Sequence, residues 1–528
     1  MESVPQTDYD FVVIGSGFGG SVSALRLAEK GYRVLVVEKG KWLTGDDFPA
    51  TNWDLRRWLW QPALRWFGLF KLTFFRHITV LSGVGVGGGS LVYANTLPAP
   101  KAEFFRADSW AHLADWESEL APFYATAARM LGVASSPRLE VGDRALQKLA
   151  EEIDGRGSFE PTQVSVFFGE PGVEVADPYF GGQGPARAGC TFCGGCMLGC
   201  RHNAKNSLDK NYLYLAQQHG AEIRAEAEVY DVAPLAAPDG SQGYTVRWKI
   251  STSILKSRGE ATCRGVVFAG GVLGTVQLLL RLRASSLPNL SAQVGARIRT
   301  NSESLIGVTA VERDATFSDG IAIGSILNTD EHSHLEPVRY SAGSGFWRLL
   351  MSPMVHGRNL LTRLAKIALD LARHPLANLK VYFVPDWSKH TQILLFMQTL
   401  DSTLRFVLGP VGMRSTLEHG RAPTAFIPEA KALAERYAQI VAGKPMVMLT
   451  ETLFGIPTTA HILGGAVMGA DRDEGVIDAD NHVFGYENMY VCDGSMISAN
   501  PGVNPSLTIT ALTERAMSKI PSRGQTLR

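Results

Sequence analysis

Four of the six cysteines in this chain fall in one short stretch, GCTFCGGCMLGC, at Cys190, Cys193, Cys196 and Cys200. Thiols this close in sequence can form disulfides, bind zinc or hold an iron–sulfur cluster. The C-x2-C-x2-C-x3-C spacing is that of ferredoxin-type clusters, so the stretch predicts an iron–sulfur site. Zinc and unliganded thiols are the alternatives. Disulfides are least favoured, because the opening residues MESVPQTDYDFVVIG do not have the pattern of a secretory signal.

The cysteine stretch departs from ferredoxins at one position. Arg201 follows the last cysteine, where ferredoxins have proline, and the fourth cysteine of a ferredoxin run serves a different cluster. A single run could therefore supply three ligands to a three-iron centre, or need a fourth ligand from elsewhere. Beside a redox cofactor, a cluster would allow electrons to leave singly, to a carrier protein or a quinone.

Two polar residues nearer the C-terminus have the chemistry to act on an alcohol. His461 lies in HILGG beside Gly464 and Gly465, and Asn504 lies in GVNPS. An imidazole with its ordinary pKa of about 6.5 accepts an alcohol proton at neutral pH. A histidine in an apolar run is more often a packed core residue, but the glycine pair and the second polar residue favour catalysis. A helix predicted from about Pro505 would hold Asn504 at its start.

The elements that would position these groups begin with residues 10–40, DFVVIGSGFGGSVSALRLAEKGYRVLVVEKG. The apolar runs DFVVIG and YRVLVVE predict buried strands, and the segment between them has helical spacing. Glycines in G-x-G-x-x-G spacing allow a tight turn, approach of the backbone to a pyrophosphate, and close helix–strand packing. An acid ending the second strand would bind a ribose diol, which favours FAD or NAD. The predicted contacts are Gly15, Gly17, Gly20 and Glu38.

Two further segments favour a flavin. Residues 81–96, LSGVGVGGGSLVYANT, hold too many glycines for a good strand or helix and suit a backbone that lies flat against a ligand. The predicted contacts there are Gly83, Gly88 and Gly89. Near the C-terminus, NMYVCDGSMISANPGVNPSLT predicts a strand, a loop and a helix start aimed at a flavin. The residues expected to face it are Asp493, Gly494, Asn504 and Ser506.

These motifs occur in the order of one known family, and they extend from end to end of the chain. They are GSGFGG at 15–20, GVGVGGGSLVYAN at 83–95, FAGGVLGT at 268–275, HILGG at 461–465 and CDGSMISANPGVNPSLTITALTERA at 492–516. The chain resembles the GMC (glucose–methanol–choline) oxidoreductases, and more narrowly their cholesterol-oxidase-like branch. The resemblance implies bound FAD, a Rossmann-type domain assembled from discontinuous segments, and a substrate domain with a large mixed sheet. Some members attach FAD covalently through a histidine, which LVYANT does not contain, so non-covalent FAD is expected.

The resemblance also implies roles for single residues. The alcohol would lie between His461 and Asn504, with His461 accepting the hydroxyl proton while hydride passes to flavin N5. Sterol oxidases of this family also move a double bond with a carboxylate. Glu336 in SHLEPVRYSAG is the best match, with Glu303 as the rival, and a surface glutamate beside Arg339 is the alternative interpretation. The implied FAD contacts are Phe18, Gly19, Glu38, Gly89, Val229, Gly494 and Asn504.

The predicted fold class is mixed α/β (α+β), with a Rossmann-type FAD-binding domain and a second domain on a large mixed or antiparallel sheet. A chain of 528 residues exceeds one simple core. The FAD domain is predicted over 1–105, 190–300 and 450–528. The substrate domain is predicted over 106–189 and 301–449.

Two stretches suggest an apolar, lipid-like substrate. Residues 53–75 interleave aromatic and basic side chains, and residues 358–373 predict an amphipathic helix with leucines on one face and basic residues on the other. Basic amphipathic segments rich in Trp and Leu lie in membrane interfaces. Core packing with a solvated face is the alternative for each stretch. Together, on an enzyme of the family that this chain resembles, they predict a lid through which a sterol leaves a membrane, and peripheral membrane contact.

The composition sets broad limits on function. The chain is 45% hydrophobic and 19% charged, as in ordinary globular proteins. Lys plus Arg and Asp plus Glu are 51 each, so no net field draws the protein to nucleic acid. An apolar run of about 18 residues that could span a bilayer is not evident. We therefore expect a cytoplasmic protein, with peripheral membrane association.

The predicted function is FAD-dependent oxidation of a bulky lipid alcohol, foremost a 3β-hydroxysteroid, with dioxygen or a redox carrier as the electron acceptor. Three alternatives stand beside it. One is a dehydrogenase that passes electrons through an iron–sulfur cluster. Another is an isomerase, lyase or photoenzyme that uses FAD without net substrate oxidation, and the last is an electron-transfer flavoprotein.

Overall fold

The computed structural model describes residues 6–153, 157–253, 257–311, 315–355, 357, 359–410, 412–418 and 422–525. Arg358, where the predicted amphipathic helix begins, lies outside the described residues. Within them, the chain forms a mixed α/β structure around two large sheets. The predicted fold class is confirmed, while the predicted domain boundaries stay a prediction.

The first large sheet joins the nucleotide-binding segment to strands far along the chain. Its central strands are near-continuous apolar runs, YDFVVI and VLVV, and are buried on both faces, as expected where helices cover both faces of a parallel sheet. In spatial order its strands are Glu222–Arg224, Val34–Val37, Tyr9–Ile14, Arg258–Phe268, Tyr244–Ile250 and Ala227–Pro234, with Met489–Val491 parallel to the end of Arg258–Phe268.

Helices cover this sheet from two sides because strand side chains alternate between its faces. In strand Tyr9–Ile14, the side chains of Phe11 and Val13 pack against helix Phe18–Glu29. The side chains of Val12 and Ile14, on the other face, pack against helix Gly271–Arg283. The parallel strands end at the same edge of the sheet, where the glycine loop follows.

Three more helices complete this layer. Helices Tyr212–Gln218 and Ser506–Lys519 lie against Phe18–Glu29, and helix Trp116–Met130 lies against Ser506–Lys519. The start of Ser506–Lys519 directly after Pro505 confirms the predicted helix start.

The second large sheet is antiparallel in the part of the chain that the structure describes. One face packs on helices Val141–Glu152 and Pro428–Val441, and the other packs on an apolar cluster around Trp58, Phe70 and Trp347. Its strands, in spatial order, are Met351–Pro353, Lys444–Met448, Ser304–Thr309, Thr391–Gln398, Ser333–Val338, Ser325–Asn328 and Ser158–Pro161.

Smaller elements connect the two sheets. Among the described residues, one three-stranded sheet contains Ile298–Arg299, Thr403–Gly409 and Gly412–Leu417, and another contains Phe70–Phe74, Thr79–Gly83 and Thr458–Thr459. Two-stranded sheets pair Trp60–Gln61 with Trp66–Phe67, Ala134–Ser135 with Gln163–Val164, and Glu174–Val175 with Arg187–Ala188. The short helices and 3-10 turns are Gly45–Asp47, Leu55–Trp58, Pro62–Leu64, Gly88–Leu91, Ala102–Phe105, Leu208–Lys210, Phe346–Leu350, Trp387–His390, Leu449–Phe454 and Gly494–Met496.

Part of the aromatic stretch 53–75 belongs to the core. Trp58 is fully buried and stacks on Phe70, with ring centroids 5.1 Å apart. Trp53 and Phe74, in contrast, are exposed. Core packing explains the buried members of this stretch, so the predicted lid role does not fit them.

The predicted amphipathic helix lies on the surface. Helix Leu360–Arg373 has no buried side chain, and Leu361 is 77% exposed. The next helix, Pro375–Phe383, leaves Leu376 and Phe383 about as exposed. No helix in the described ranges is long and apolar enough to cross a membrane.

Candidate active site

The catalytic candidates come together from loops that adjoin regular elements. Glu303 directly precedes a strand of the second sheet, His461 follows the short strand Thr458–Thr459, and Asn504 lies just before the last helix. Glu303 and Asn504 both lie within hydrogen-bonding range of the His461 ring. The structure therefore unites the predicted pair with the carboxylate that the sequence offered only as a rival for another role.

Glu303 anchors the His461 ring. Its Oε2 lies 3.0 Å from Nδ1 of His461, and its Oε1 accepts hydrogen bonds from the backbone N–H groups of Ala460 and His461 at 3.1 and 3.3 Å. The Thr459 hydroxyl also donates to Oε1. An ionised carboxylate only accepts hydrogen bonds, so Nδ1 carries the proton and the lone pair of the neutral ring is on Nε2.

The lone pair on Nε2 lies beside Asn504. The side-chain nitrogen Nδ2 of Asn504 is 3.5 Å from Nε2 of His461, a long and weak contact. Oδ1 of Asn504 is buried and has no hydrogen-bond partner. A hydroxyl group placed here would donate to Nε2 and accept from Nδ2, so the pair suits an alcohol.

The neighbouring carboxylates strengthen His461 as a base. Burial alone would lower its pKa, but the charge and hydrogen bond of Glu303, with the charge of Glu336, raise the pKa above its ordinary value. The neutral form of His461 is the base, so its availability increases as pH rises through that raised pKa.

Glu336 is a buried carboxylate close to this site. It lies in strand Ser333–Val338 with its side chain 0% exposed, and neither carboxylate oxygen has a hydrogen-bond partner. Nε2 of His334 is 3.6 Å away, too far for a hydrogen bond. Arg339 pairs instead with Asp143 at 2.9 Å. The interpretation of Glu336 as a surface partner of Arg339 is therefore wrong.

Glu451 was not found by sequence reasoning. It is buried on the short helix Leu449–Phe454, and this burial raises its pKa to about 8. Hydrogen bonds from Thr458 lower the pKa, and the charge of Glu303 raises it further. No motif surrounds Glu451 in the sequence. Only the fold brings it near the catalytic carboxylate.

The two glycine segments pack against each other. A Cβ added to Gly88, whose φ is +53°, would lie 2.7 Å from the Cα of Gly17. A Cβ on Gly20 would lie 2.0 Å from the carbonyl oxygen of Gly15, so close packing requires glycine there. An added Cβ on Gly17 has no atom within 4 Å. The backbone of Gly17 therefore borders open space at a helix N-terminus, where a pyrophosphate would bind.

The other predicted glycines divide into packed and open positions. A Cβ on Gly19 would lie 1.5 Å from the carbonyl oxygen of Cys492, and one on Gly83 would lie 2.7 Å from a carbonyl of its own glycine run. A Cβ on Gly89 would meet only the ring of Phe18, at 3.8 Å. Gly19 and Gly83 thus serve packing, while Gly89 and Phe18 line an open edge.

Glu38 is held beside the glycine loop. Its carboxylate accepts from the N–H and hydroxyl of Ser16 at 3.1 and 2.8 Å and from the N–H of Gly40 at 2.8 Å. Val229 lies where the pairing of strand Ala227–Pro234 shifts register. The ribose contact of Glu38 and the adenine contact of Val229 stay predictions.

Asp493 organises the C-terminal loop. It accepts hydrogen bonds from the Thr275 hydroxyl at 2.5 Å and the Ser495 N–H at 2.8 Å, and burial raises its pKa. Gly494 begins the turn after it, and Ser506 begins the last helix. The three predicted cofactor contacts here stay predictions, and Asp493 also shapes the turn.

Asn95 adds an observation that fits a bound cofactor. It ends the second glycine run, is fully buried, and has no partner for either atom of its side-chain amide. Buried polar groups are normally paired, so these atoms are expected to bond a ligand. Open space at Gly17 and the unpaired Oδ1 of Asn504 agree with this. The residues present fit FAD, and sequence reasoning did not single out Asn95.

The four clustered cysteines surround one cavity of about 180 Å³. All six cysteines are free thiols. In the described ranges, no three His, Cys, Asp or Glu side chains lie close enough to share one metal ion. Zinc and iron–sulfur centres both need thiolate ligands, and both interpretations of the cysteine stretch stay predictions.

Comparison with known proteins agrees with this arrangement. Two family models described as GMC oxidoreductase match residues 186–301 and 424–513, and one described as FAD binding domain matches residues 10–53. A cholesterol oxidase of Acinetobacter baumannii is 45% identical, over 98% of this chain and 95% of its own. The chain belongs to the GMC oxidoreductase family. It is an FAD-dependent oxidoreductase that acts on CH–OH donors.

Other known proteins are similar at lower sequence identity. A cholesterol oxidase of Mycobacterium tuberculosis is 42% identical over 98% of this chain and 92% of its own. A long-chain-alcohol oxidase of Arabidopsis thaliana is 24% identical over 97% of this chain and 67% of its own. The crystal structure of pyridoxine 4-oxidase from Mesorbium loti has a TM-score of 0.61 at 14% identity, over 97% of this chain and 98% of its own. That likeness shows the shared fold.

Proposed function

We propose that this protein oxidises the 3β-hydroxyl of a cholesterol-type sterol to the ketone, with dioxygen as final acceptor and hydrogen peroxide as co-product. Two relatives named cholesterol oxidase, 42% and 45% identical over nearly the whole chain, support the substrate class. The observation that carries the chemistry is Nε2 of His461, anchored by Glu303 on its other nitrogen and lying 3.5 Å from Nδ2 of Asn504.

The residues of the chain would divide the work as follows. Bound FAD supplies the acceptor of the hydride from the carbinol carbon. His461 takes the hydroxyl proton on Nε2, and Glu303 stabilises the imidazolium that results. Nδ2 of Asn504 donates a hydrogen bond to the substrate oxygen and so holds the carbinol in place.

Double-bond isomerisation is the finer part of this proposal, and Glu336 is its base. A carboxylate that is fully buried, has no hydrogen-bond partner and influences the pKa of His461 is close to the reacting ring and free to carry a proton. Glu303 is less suited to that step, because four hydrogen-bonding contacts already occupy its oxygens.

We further propose that helices Leu360–Arg373 and Pro375–Phe383 contact a membrane surface, from which the sterol enters. Their exposed apolar side chains support this, and the guanidinium of Arg363 donates to the carbonyl of Leu453, on the short helix that carries Glu451. This contact joins helix Leu360–Arg373 to the helix that carries Glu451. Cytoplasmic location stays a prediction.

Anaerobic bleaching of the bound flavin tests the proposed oxidation. Cholesterol should bleach the flavin rapidly, while its 3α epimer, a long-chain primary alcohol and choline should react much more slowly. Faster bleaching by the long-chain alcohol than by cholesterol would overturn the substrate class. No bleaching by any alcohol in FAD-replete protein would overturn the catalytic assignment.

A further inference from the structure

The cavity between the cysteines is not used by the proposed oxidation. Cys190, Cys193, Cys196 and Cys200 all line this one cavity. In two-cluster ferredoxins with this cysteine spacing, the fourth cysteine binds a second cluster. In this protein the fourth cysteine, Cys200, faces the same space as the other three.

The four thiols match the ligand number of a four-iron cluster. Among the described residues, no three His, Cys, Asp or Glu side chains are placed to hold a single metal ion, so the shared cavity and the ligand number carry the argument. In a four-iron cluster each thiolate binds its own iron, so the four sulfurs surround a core. All four cysteines line one cavity of about 180 Å³, which can hold such a core.

The surroundings of the thiols also suit a cluster. The backbone N–H of Phe192 points at Sγ of Cys190, and the N–H of Ala204 points at Sγ of Cys200, each at 3.4 Å. Hydrogen bonds to sulfur stabilise thiolate ligands and tune cluster potentials. An apolar shell that includes Val166 packs around the cysteines and limits water on that side.

The charges around the cavity favour an anionic occupant. Nζ of Lys205 donates to the carbonyl oxygens of Leu91, Tyr93 and Cys196 at 3.0, 3.0 and 2.8 Å. The guanidinium of Arg201 also lines the cavity, and it pairs with an exposed carboxylate at 2.7 Å. A cluster held by four thiolates carries net negative charge, which this guanidinium complements.

Lys205 also joins this cavity to the cofactor site. Leu91, whose carbonyl accepts from Lys205, ends the turn Gly88–Leu91. Gly88 in that turn packs on the glycine loop predicted to bind FAD. The buried Nζ of Lys205 therefore contacts both the backbone of the cysteine loop and the backbone of the turn that packs on the glycine loop.

We propose that Cys190, Cys193, Cys196 and Cys200 bind a cluster of four irons and four sulfides in this cavity. The cluster is a second prosthetic group beside FAD, and the site does not depend on the proposed sterol substrate.

Metal analysis of anaerobically purified protein, reconstituted with ferrous iron and sulfide, tests the proposal. We expect about four irons and four acid-labile sulfides per chain, and an electron paramagnetic resonance signal after reduction with dithionite. Cys193→Ser and Cys196→Ser should each lose the four-iron signal. Cys263→Ser, a buried thiol in the first sheet, should keep it.

Several outcomes would overturn the cluster. They are stoichiometric zinc, fewer than one iron per chain after reconstitution, three irons, or an unchanged signal in Cys193→Ser. Cys193 is the solvent-exposed thiol of the four, so its substitution is the least disruptive to folding. FAD content and alcohol-dependent bleaching are measured on the same samples. Failure of the cluster is therefore distinct from failure of the proposed oxidation.

Discussion

Oε2 of Glu303 lies 3.0 Å from Nδ1 of His461, and the two side chains are 1% and 13% exposed. Water screens a pair buried this deeply only weakly, so the carboxylate acts strongly on the imidazole. The Glu303 carboxylate places the lone pair of the neutral His461 ring on Nε2, and it raises the pKa of His461. Both effects can be measured in the reaction.

Glu303→Gln is expected to move the acid limb of the rate profile to lower pH. His461 acts as a base only when neutral, and Glu303 raises its pKa, so removing the charge makes the neutral ring available at lower pH. Loss of orientation should lower kcat roughly 10²-fold. The measurement is kcat/KM for the sterol against pH. The control is Glu435→Gln, which changes a half-exposed carboxylate. An acid limb at the same pH in Glu303→Gln and the parent would contradict the role assigned to Glu303.

Two substitutions at Asn504 test separately the loss of its hydrogen bond and the effect of a charge introduced at its position. Asn504→Ala, assayed as FAD-replete protein, should slow flavin reduction by roughly 10² to 10³-fold, because the donor to the substrate oxygen is lost. Asn504→Asp should move the acid limb to higher pH, opposite to Glu303→Gln, because a second carboxylate beside Nε2 raises the pKa of His461. Stopped-flow flavin reduction measures both. Equal rates in Asn504→Ala and the parent would remove Asn504 from the catalytic pair.

Glu336→Gln should separate the two proposed steps. A glutamine cannot carry a proton between ring carbons, so the variant should still oxidise the sterol but release the unconjugated ketone. Chromatography of the products and the ultraviolet absorbance of the conjugated enone distinguish the outcomes. Loss of the Glu336 charge should also shift the acid limb slightly to lower pH. Unchanged conjugated product would assign the proton transfer to another group.

Local sequence predicted the glycine loop well and the catalytic set only partly. Gly15 and Gly20 have the tight turn and close packing that their spacing implies, because those constraints act within one short unit. Glu303 and His461 are 158 residues apart, and their pairing depends on how loops from different elements meet. Glu336 could not be assigned as buried or exposed from its neighbours alone, since burial follows from the strands that pair around it.

The aromatic stretch shows another limit of sequence reasoning. Trp58 is buried and Trp53 exposed within the same segment, and the segment has no regular period that would tell them apart. Only the packing of Trp58 against Phe70 and Trp347 assigns it to the core.

Gly17→Ala and Gly20→Ala should fail in different ways. A Cβ on Gly17 meets no protein atom within 4 Å, so Gly17→Ala should fold with an unchanged melting temperature when stripped of FAD. It should bind FAD weakly, since the methyl group occupies the space of the pyrophosphate. A Cβ on Gly20 would lie 2.0 Å from the carbonyl oxygen of Gly15, so Gly20→Ala should destabilise the fold itself. Normal FAD affinity in Gly17→Ala would place the pyrophosphate elsewhere.

The double variant Leu361→Glu, Leu364→Glu should lose activity on membrane sterol and keep activity on sterol in detergent. Both leucines are exposed on helix Leu360–Arg373, so the charges should not harm the fold but should oppose insertion into a bilayer interface. The measurements are flotation with cholesterol-containing anionic vesicles, and initial rates on vesicles and on detergent-solubilised cholesterol. Leu417→Glu, at an exposed leucine on a different strand, is the matched control. Equal loss of both activities would indicate damage to the active site, and equal vesicle binding by the double variant and the control would exclude these helices as the membrane contact.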